Sequence, residues 1–220
     1  SKTTKAYMAI LGDGRGGVFC ENSLEMPIHW GSDTQHLIQL GAFDIVLTNP
    51  PYGSKLKIED RAILSNYDLG YQWKVKNGVY EKTTKQLDFQ TPQVLFIERC
   101  LNLLRPGGRL GIVAPESMFC NPSHKYIMSY VESKAQIEAV ISMPENLFQP
   151  HTHAKTCVVL MRKLGENEKP DPNEQIFMAV AKWCGHDSRG LAVPYDDVPA
   201  IQARFEAFRR GEELSYDHLG

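Results

Sequence analysis

The residues Phe43-Asp44-Ile45-Val46-Leu47-Thr48-Asn49-Pro50-Pro51-Tyr52-Gly53 join an apolar run directly to a proline-rich turn. The run is short, β-branched and aromatic, and bounded by Gly41 and by prolines, which is typical of a strand covered on both faces in a parallel sheet. Because proline has no N–H to donate, we expect the strand to end at Thr48 or Asn49. In an open α/β sheet, ligands bind just past the carboxyl end of a strand. The stretch therefore predicts a strand followed by a binding loop.

The loop itself offers a particular set of groups. Asn49 has a carboxamide oxygen and Pro50 a carbonyl oxygen, and Pro51 keeps the backbone of Pro50 extended. Two fixed acceptors suit an –NH2 group, and the ring of Tyr52 can stack on a planar heterocycle. The pattern favours an aromatic ligand with an exocyclic amine, such as adenine or cytosine, which would have to be flipped out of a duplex. The alternative is an ordinary turn, since Asn, Pro and Gly are common turn formers.

Composition narrows the class of protein. The 220 residues suffice for one substantial core, and contents of 42% hydrophobic and 23% charged residues are ordinary for a soluble globular chain. The net charge of −2 gives no overall attraction to nucleic acid, so any such contact must come from a local patch. The sequence indicates neither a membrane span nor a secretory signal. The 5 scattered cysteines, without a C-x-x-C pair, favour reduced thiols in a cytoplasmic protein.

Two groups of residues have the chemistry of metal ligands. His151, His153 and Cys157 are close in sequence, as are Cys184 and His186. Neither group has a fourth ligand at a suitable spacing, so we expect no metal site.

The beginning of the chain is interpreted as a helix, a turn and a strand. Residues 1–11 predict the end of a helix, and the glycine-rich residues 12–17 follow as a turn. A dinucleotide-binding loop is not favoured there, because such a loop follows a strand and opens a helix, whereas this one precedes the strand-like residues 18–20. Asn22 follows, and its side chain could either bind the adenine of a cofactor or cap the next turn.

Residues 53–90 show no sustained periodicity, and we expect a long loop. The segment interleaves basic and aromatic residues, namely Lys55, Lys57, Lys74, Lys76, Lys82 and Lys85 with Tyr67, Tyr71, Trp73 and Tyr80. Such a mixture beside a base pocket favours a lid or a nucleic-acid contact. The alternative is a solvated loop, because acidic residues nearly cancel the charge.

The rest of the chain alternates helices and strands. Helices are expected from Thr91, a capping residue followed by proline, and over residues 124–133. Strands are expected at residues 109–114, 137–142, 156–161 and 176–181, and a terminal helix after Asp197 that could dock on this domain or on a partner. The alternation predicts a three-layer α/β sheet. A polar linker at 165–172 separates residues 1–164 from a C-terminal extension, 165–220.

Several motifs, in this order, resemble those of one family. They are Leu11-Gly-Asp-Gly, Glu21-Asn-Ser-Leu, the stretch from Phe43 to Gly53, the segment from Phe96 to Pro115, Ile141-Ser-Met-Pro-Glu-Asn-Leu-Phe148 and the strand from Lys155 to Lys163. Together they resemble the catalytic domain of N6-adenine DNA methyltransferases, and most closely the methylation (M) subunit of type I restriction-modification systems. The resemblance covers nearly the whole chain.

The resemblance implies a Rossmann-like class I methyltransferase sheet. It also implies methyl transfer from S-adenosylmethionine to N6 of a flipped adenine. Asn49 and Pro50, with Pro51 fixing the turn, would hold the N6 amine, and Tyr52 would stack on the adenine.

The resemblance also implies contacts to cofactor and DNA. Asn22, Ser23 and Asn49 would contact S-adenosylmethionine, although the family often has Asp at the position of Asn22. Double-stranded DNA would be the substrate, with the four lysines Lys55, Lys57, Lys74 and Lys76 as its expected contacts. Specificity and restriction subunits of a type I complex would be the protein partners.

One feature of the family has no counterpart in the sequence, namely its main cofactor loop, a glycine-rich turn after the first strand. We therefore expect a sheet that is incomplete at its N-terminal side, and a chain that by itself binds S-adenosylmethionine weakly or not at all and is inactive. Two other classes stay open. Protein-glutamine methyltransferases share Asn-Pro-Pro-Tyr, and a fragment of this kind could serve only as a DNA-binding or assembly module.

Overall fold

The computed structural model describes residues 2–12, 17–53, 55–149, 151–212 and 214. Its helices are α1 (Lys2–Ile10), α2 (Ser32–Leu37), α3 (Arg61–Ser65), α4 (Pro92–Leu103), α5 (Ser117–Cys120), α6 (Lys125–Lys134) and α7 (Val198–Arg209). Its strands are β1 (Phe43–Thr48), β2 (Tyr71–Lys76), β3 (Val79–Gln86), β4 (Leu104–Pro115), β5 (Ala135–Ser142), β6 (Thr156–Lys163), β7 (Phe177–Val180), β8 (Cys184–His186) and β9 (Ala192–Asp196). Short 3-10 turns lie at Pro27–His29, Asp68–Gly70, Pro122–His124 and Glu145–Phe148.

Five of these strands form the central sheet in the order β1-β4-β6-β5-β7. β1 is parallel to β4 and β5 is parallel to β7, whereas β6 is antiparallel to both of its neighbours. β6 runs the other way because only a loop and the turn at Glu145–Phe148 join it to β5, and parallel neighbours usually need a helical crossover. Helices cover both faces of this sheet. The expected three-layer α/β architecture is therefore confirmed, with a mixed rather than a wholly parallel sheet.

The larger core lies between the sheet and helices α4 and α6. Leu110, Ile112 and Val159 face it from the strands, and the buried apolar residues of α4 pack against them. Burying each such side chain stabilises the fold by roughly 1.5–3 kcal/mol. Val46 of β1 lies beside Leu110 in the register and packs on the same core. The strand that leads into the Asn-Pro-Pro-Tyr loop is thereby fixed from one side.

The opposite face is covered by α7 over β5 and β7. The ring centroids of Phe205 and Phe208 lie 5.3 Å and 5.7 Å from that of Phe177. The terminal helix thus begins after Asp197, as predicted, and docks on this domain. At the other end of the sheet, Ile45 and Leu47 on β1 are 62% and 78% exposed. Within the described residues, the prediction of a strand covered on both faces is therefore correct for one face only.

The first part of the chain differs in one element from the prediction. The expected helix is confirmed as α1, while residues 13–16, the centre of the expected glycine turn, lie outside the described residues. The strand expected at residues 18–20 is wrong, since these residues pair with none of the described strands. A β-branched and aromatic triplet forms a strand only where a neighbour offers N–H and C=O groups to pair with.

The expected long loop at residues 53–90 is also wrong, because the segment folds into α3 and a β2–β3 hairpin. The hairpin turns at Asn77 and Gly78, whose φ angles of 52° and 83° are those of a type I′ turn. The Asn-Gly pair is the sequence signal for this hairpin. Its base is held by α4, where the two carboxylate oxygens of buried Glu98 accept the N–H groups of Asp68 and Leu69, each at 2.9 Å.

The C-terminal residues complete the sheet. The strand expected at residues 176–181 is confirmed as β7, which pairs with β5 from Ala139 opposite Phe177 to Ser142 opposite Val180. The boundary proposed after residue 164 therefore separates strands of one sheet, and it stays a prediction. Among the described helices, none is long and apolar enough to cross a membrane.

Candidate active site

The Asn-Pro-Pro-Tyr loop lies at one edge of the central sheet. β1 ends at Thr48, opposite Ile112 of β4, and Asn49 follows directly as predicted. The carboxyl ends of β4 and β5 and the start of β6 meet at the same edge, because Pro115 pairs with Thr156 and Ser142 pairs with Cys157. The turn after β5 is thereby brought to the loop after β1.

Two acceptors of the loop are available to a ligand. Asn49 is exposed and Pro50 is buried. In the part of the chain that the structure describes, no hydrogen bond engages the carboxamide of Asn49 or the carbonyl of Pro50. Polar groups in folded proteins normally have a hydrogen-bond partner. Two oxygens without a protein partner can therefore accept hydrogen bonds from the amine of a ligand.

Tyr52 is one of two aromatic rings that line this site. Its ring centroid lies 6.2 Å from that of Phe148, with an angle of 66° between the planes. Both rings are half-buried, and burial raises the pKa of the Tyr52 hydroxyl, which therefore stays neutral. Phe148 ends the 3-10 turn after β5. From the sequence, no role was assigned to Phe148. The available signal was an aromatic residue in a loop just past the carboxyl end of a strand.

A polar network fixes the turn that carries Phe148. The hydroxyl of Ser142 donates to Glu116 Oε1 at 2.5 Å, and the N–H of Glu116 donates to the carbonyl of Lys155 at 3.0 Å. Lys155 Nζ donates to the carbonyl of Met143 at 2.5 Å and lies 4.0 Å from Glu116 Oε1. The ends of β4 and β5 and the start of β6 are tied together, so the ring of Phe148 has a defined position.

The cofactor candidates Asn22 and Ser23 lie in a turn before β1. Asn22 Oδ1 accepts the N–H of Leu24 at 3.2 Å, and its Nδ2 donates to Glu25 Oε1 at 3.2 Å. These are the contacts of a turn cap, one of the two interpretations that the sequence left open. Ser23 is exposed, and its hydroxyl has no hydrogen-bond partner among the described residues. An open depression of about 430 Å³ lies nearby, around Glu21 and α2.

This turn is held by a buried arginine that sequence reasoning did not single out. Arg99 of α4 donates to the carbonyls of Leu24 and Glu25 at 3.3 Å and 2.7 Å, and to the hydroxyl of Tyr67 at 2.9 Å. The Tyr67 hydroxyl in turn donates to the carbonyl of Leu24 at 2.7 Å. The guanidinium carbon also lies 5.8 Å from the ring centroid of Trp30. An irregular segment is thus anchored to the core helix.

The site combines an edge-of-sheet position, two free acceptors and two aromatic rings. An N-6 DNA methylase family model matches residues 13–207 of this chain. The chain belongs to the N-6 DNA methylase family. Its fold class, a Rossmann-like class I methyltransferase sheet, is confirmed by the similarity of its fold to solved structures.

Three relatives illustrate the likeness of this N-6 DNA methylase chain. A Methanocaldococcus jannaschii protein, named as a type II restriction enzyme and methyltransferase, is 24% identical over 155 residues, which are 70% of this chain and 11% of that protein. The M protein of the type I restriction enzyme EcoKI matches with a TM-score of 0.55 and 18% identity, over 94% of this chain and 38% of its own. A structure from Listeria monocytogenes, assigned as a class I S-adenosylmethionine-dependent methyltransferase, matches with a TM-score of 0.51 and 21% identity. The match covers 74% of this chain and 42% of the Listeria chain.

The N-6 DNA methylase chain therefore spans about a tenth of the length of the curated relative. It spans about two fifths of the two solved structures. At these identities, the solved structures show a shared fold.

The lysines proposed for DNA contact fall into two places in the N-6 DNA methylase fold. Lys55 and Lys57 are exposed just beyond the loop, and Lys57 Nζ lies 4.1 Å from the ring centroid of Phe89. Lys74 and Lys76 lie on β2, where Lys76 Nζ is 3.7 Å from Glu81 Oε2. The hairpin that carries them packs on α6 through a ring contact between Trp73 and Tyr130. A DNA contact by all four stays a prediction.

The possible metal ligands are not assembled into a site. Among the described residues, no group of three or more His, Cys, Asp or Glu side chains is placed to hold a metal ion. Cys184 Sγ lies 3.5 Å from His186 Nε2 as an isolated pair. The cysteines are all free thiols.

Proposed function

We propose that this chain forms the substrate-binding part of an adenine-specific DNA methyltransferase of a restriction-modification system. The reaction would be methyl transfer from S-adenosylmethionine to N6 of an adenine flipped out of double-stranded DNA. The observation that carries the proposal is the pair of unengaged oxygens on Asn49 and Pro50 beside the rings of Tyr52 and Phe148. Family membership supports the same reaction.

The two acceptors would act on the amine of adenine. This nitrogen is a poor nucleophile, because its lone pair is delocalised into the ring. When Asn49 and Pro50 accept both of its hydrogens, the nitrogen moves toward tetrahedral geometry, and the positive charge that develops during attack is stabilised. The amine would then accept the methyl group that bound S-adenosylmethionine supplies, with the bonding pair staying on the cofactor's sulfur, and would release one proton to water. No strong base is required.

The two rings would hold the base. Stacking of a nucleobase on an aromatic side chain contributes about 1–3 kcal/mol, which offsets part of the few kcal/mol that flipping costs. Tyr52 follows Asn49 by three positions, while Phe148 comes from the turn after β5. Because the polar network around Glu116 fixes that turn, the base would meet two preformed surfaces rather than order them on binding.

Bound S-adenosylmethionine would supply the electrophilic methyl group. Of the three candidate cofactor residues, Ser23 and Asn49 have side chains without a hydrogen-bond partner among the described residues, whereas the Asn22 side chain is engaged in its turn. Asn22 would have to exchange these local bonds to reach the cofactor. We propose that the main glycine-loop contacts are not made by the described residues, so that this chain alone binds the cofactor weakly and is inactive.

The partners follow from the same proposal. The substrate is double-stranded DNA, and Lys55 and Lys57, next to the pocket, are the nearer candidates for phosphate contacts. Specificity and restriction subunits of a type I complex are the proposed protein partners, and the cytoplasm is the proposed compartment.

The test is methyl transfer with labelled S-adenosylmethionine, assayed for this chain and for any longer native form of it. Adenine-containing DNA, DNA whose adenines are replaced by purine without the amine, and a glutamine peptide serve as acceptors. We expect no methyl transfer by this chain alone. The longest native form should produce N6-methyladenine in the first acceptor only, and Asn49→Ala should lower that activity by roughly 10²-fold or more. Methylation of the peptide, or of no acceptor by the longest native form, would refute the proposal.

A further inference from the structure

A pair of aromatic rings on the β8–β9 hairpin is open to solvent. Trp183 and Tyr195 are 44% and 58% exposed, and their ring centroids lie 5.4 Å apart with an angle of 41° between the planes. The other two tryptophans behave differently, since Trp30 is buried and Trp73 is half-buried against Tyr130. Exposed paired rings keep flat apolar faces available to a partner.

The hairpin stands at the edge of the sheet that carries the proposed base pocket. β7 ends at Val180, opposite Ser142, and Ala181 donates its N–H to the carbonyl of Ser142 at 2.8 Å. β8 then packs against the 3-10 turn that ends in Phe148. Because Phe148 faces Tyr52, the hairpin, the turn and the Asn-Pro-Pro-Tyr loop are consecutive neighbours along one edge.

The backbone of the Trp183 segment is held in place by hydrogen bonds to Asp197. Asp197 Oδ2 accepts the N–H groups of Lys182 and Trp183 at 2.7 Å and 2.9 Å, and the N–H of Asp197 donates to the carbonyl of Trp183 at 3.2 Å. A surface that is already ordered loses little conformational entropy when a partner binds.

The charges around the rings argue against a phosphate contact. Residues 182–197 contain Lys182 and Arg189 against Asp187, Asp196 and Asp197, a formal net charge of −1. Asp187 Oδ1 accepts the N–H groups of Arg189 and Leu191, and these bonds lower the pKa of the Asp187 carboxyl, which stays ionised. The partner group that suits this surface is therefore an uncharged flat ring.

We infer that Trp183 and Tyr195 form a stacking platform for an unpaired nucleobase next to the flipped adenine. The inference rests on the proposed function, because it is the adjacent base pocket that brings unpaired bases to this edge. Flipping one base leaves its partner and neighbours with an uncovered face, and aromatic side chains stack on any base with little regard to sequence.

The test measures the affinity of this chain for fluorescently labelled oligonucleotides by polarisation. The probes are single-stranded DNA and a duplex with one abasic position, which leaves a base unpaired. Trp183→Ala and Tyr195→Ala should each weaken binding by about 5- to 150-fold, the loss expected for one stacked base. Trp183→Phe should retain most of the affinity, and DNA should quench wild-type tryptophan fluorescence but not that of Trp183→Phe.

A matched control and a salt series separate stacking from other contacts. Tyr7 on α1 is 62% exposed, and Tyr7→Ala should bind like the wild type. The wild-type to Trp183→Ala ratio should be the same at about 50 and 200 mM salt, since only phosphate contacts respond strongly to salt. Unchanged affinity in both platform variants, a salt-dependent ratio, or an equal loss in Tyr7→Ala would overturn the inference.

The outcome is distinguishable from failure of the proposed function. Methyl transfer to adenine together with unchanged DNA affinity in Trp183→Ala would remove the platform and leave the function intact. Loss of DNA affinity in Trp183→Ala, together with no methyl transfer by any native form, would support the platform and refute the proposed function. If instead the two alanine variants lose only association with another protein, the surface is a protein interface and the inference is wrong.

Discussion

The hydroxyl of Tyr67 lies at the centre of the network that anchors the turn before β1. Tyr67 is buried, donates to the carbonyl of Leu24 and accepts from Arg99 Nε. The substitution Tyr67→Phe removes this hydroxyl and keeps the ring. The carbonyl of Leu24 then retains one donor, Arg99 Nη2 at 3.3 Å, but Arg99 Nε is left as a buried donor without its partner.

The cost of this change can be worked from those contacts. Leaving a buried polar group unpaired costs about 1–3 kcal/mol, and the higher part applies where the group is charged. We expect Tyr67→Phe to lower the free energy of unfolding by about 2 kcal/mol. For a chain of this size, that corresponds to a fall in Tm of roughly 4–8 °C.

Tyr130 provides a matched control. It is also buried in the same core, but its hydroxyl has no hydrogen-bond partner among the described residues. Tyr130→Phe breaks no hydrogen bond among these residues and should therefore not lower the free energy of unfolding. Urea unfolding followed by circular dichroism would measure both variants beside the wild type. If Tyr67→Phe is as stable as the wild type, or if Tyr67→Phe and Tyr130→Phe lose equal stability, then the hydrogen bonds of the Tyr67 hydroxyl do not stabilise the fold by about 2 kcal/mol.

Three further predictions use other parts of the structure. Burial raises the pKa of Tyr67 from its ordinary 10.0 to about 12. The difference in unfolding free energy between wild type and Tyr67→Phe should therefore be complete below pH 10 and disappear toward pH 12, which unfolding curves at each pH would measure. Gly78→Ala should lower the free energy of unfolding, measured by thermal unfolding, by about 1–2 kcal/mol, because the φ of 83° at this position is left-handed, even though no atom lies close to the added Cβ. Unchanged stability would exclude the type I′ turn. Phe148→Ala should weaken binding of single-stranded DNA containing 2-aminopurine, followed by its fluorescence, by about 5- to 150-fold, while Phe148→Tyr should not; equal effects would exclude stacking.

The local parts of the fold were accessible from the sequence because they depend on local chemistry. The end of β1 was predicted from the prolines that follow Thr48, and the start of α4 from Thr91 and Pro92. The helix expected over residues 124–133 and the strands expected at 137–142 and 156–161 are also confirmed, as α6, β5 and β6. The hairpin at residues 71–86 was missed although its Asn77-Gly78 turn is a local signal.

The site itself is only half local. Asn49, Pro50 and Tyr52 lie within four consecutive residues, so their chemistry as two acceptors and a ring can be derived from four letters. Phe148 is far from them in sequence and joins them because β5 ends at the same edge of the sheet as β1. Neither hydrophobic periodicity nor the spacing of residues in the sequence predicts that Phe148 lies close to the Asn-Pro-Pro-Tyr loop.

The sequence by itself determined that a strand leads into the Asn-Pro-Pro-Tyr loop and that helices and strands alternate behind it, since these follow from side-chain types a few residues apart. Only the tertiary structure decided that β6 runs antiparallel, that Arg99 anchors the turn of Asn22, and that Phe148 faces Tyr52. The anchoring by Arg99 depends on where α4 lies against the chain before β1. The other two features depend on which strand ends are adjacent in the sheet. That adjacency is set by the packing of the whole core, to which residues distant in sequence contribute together.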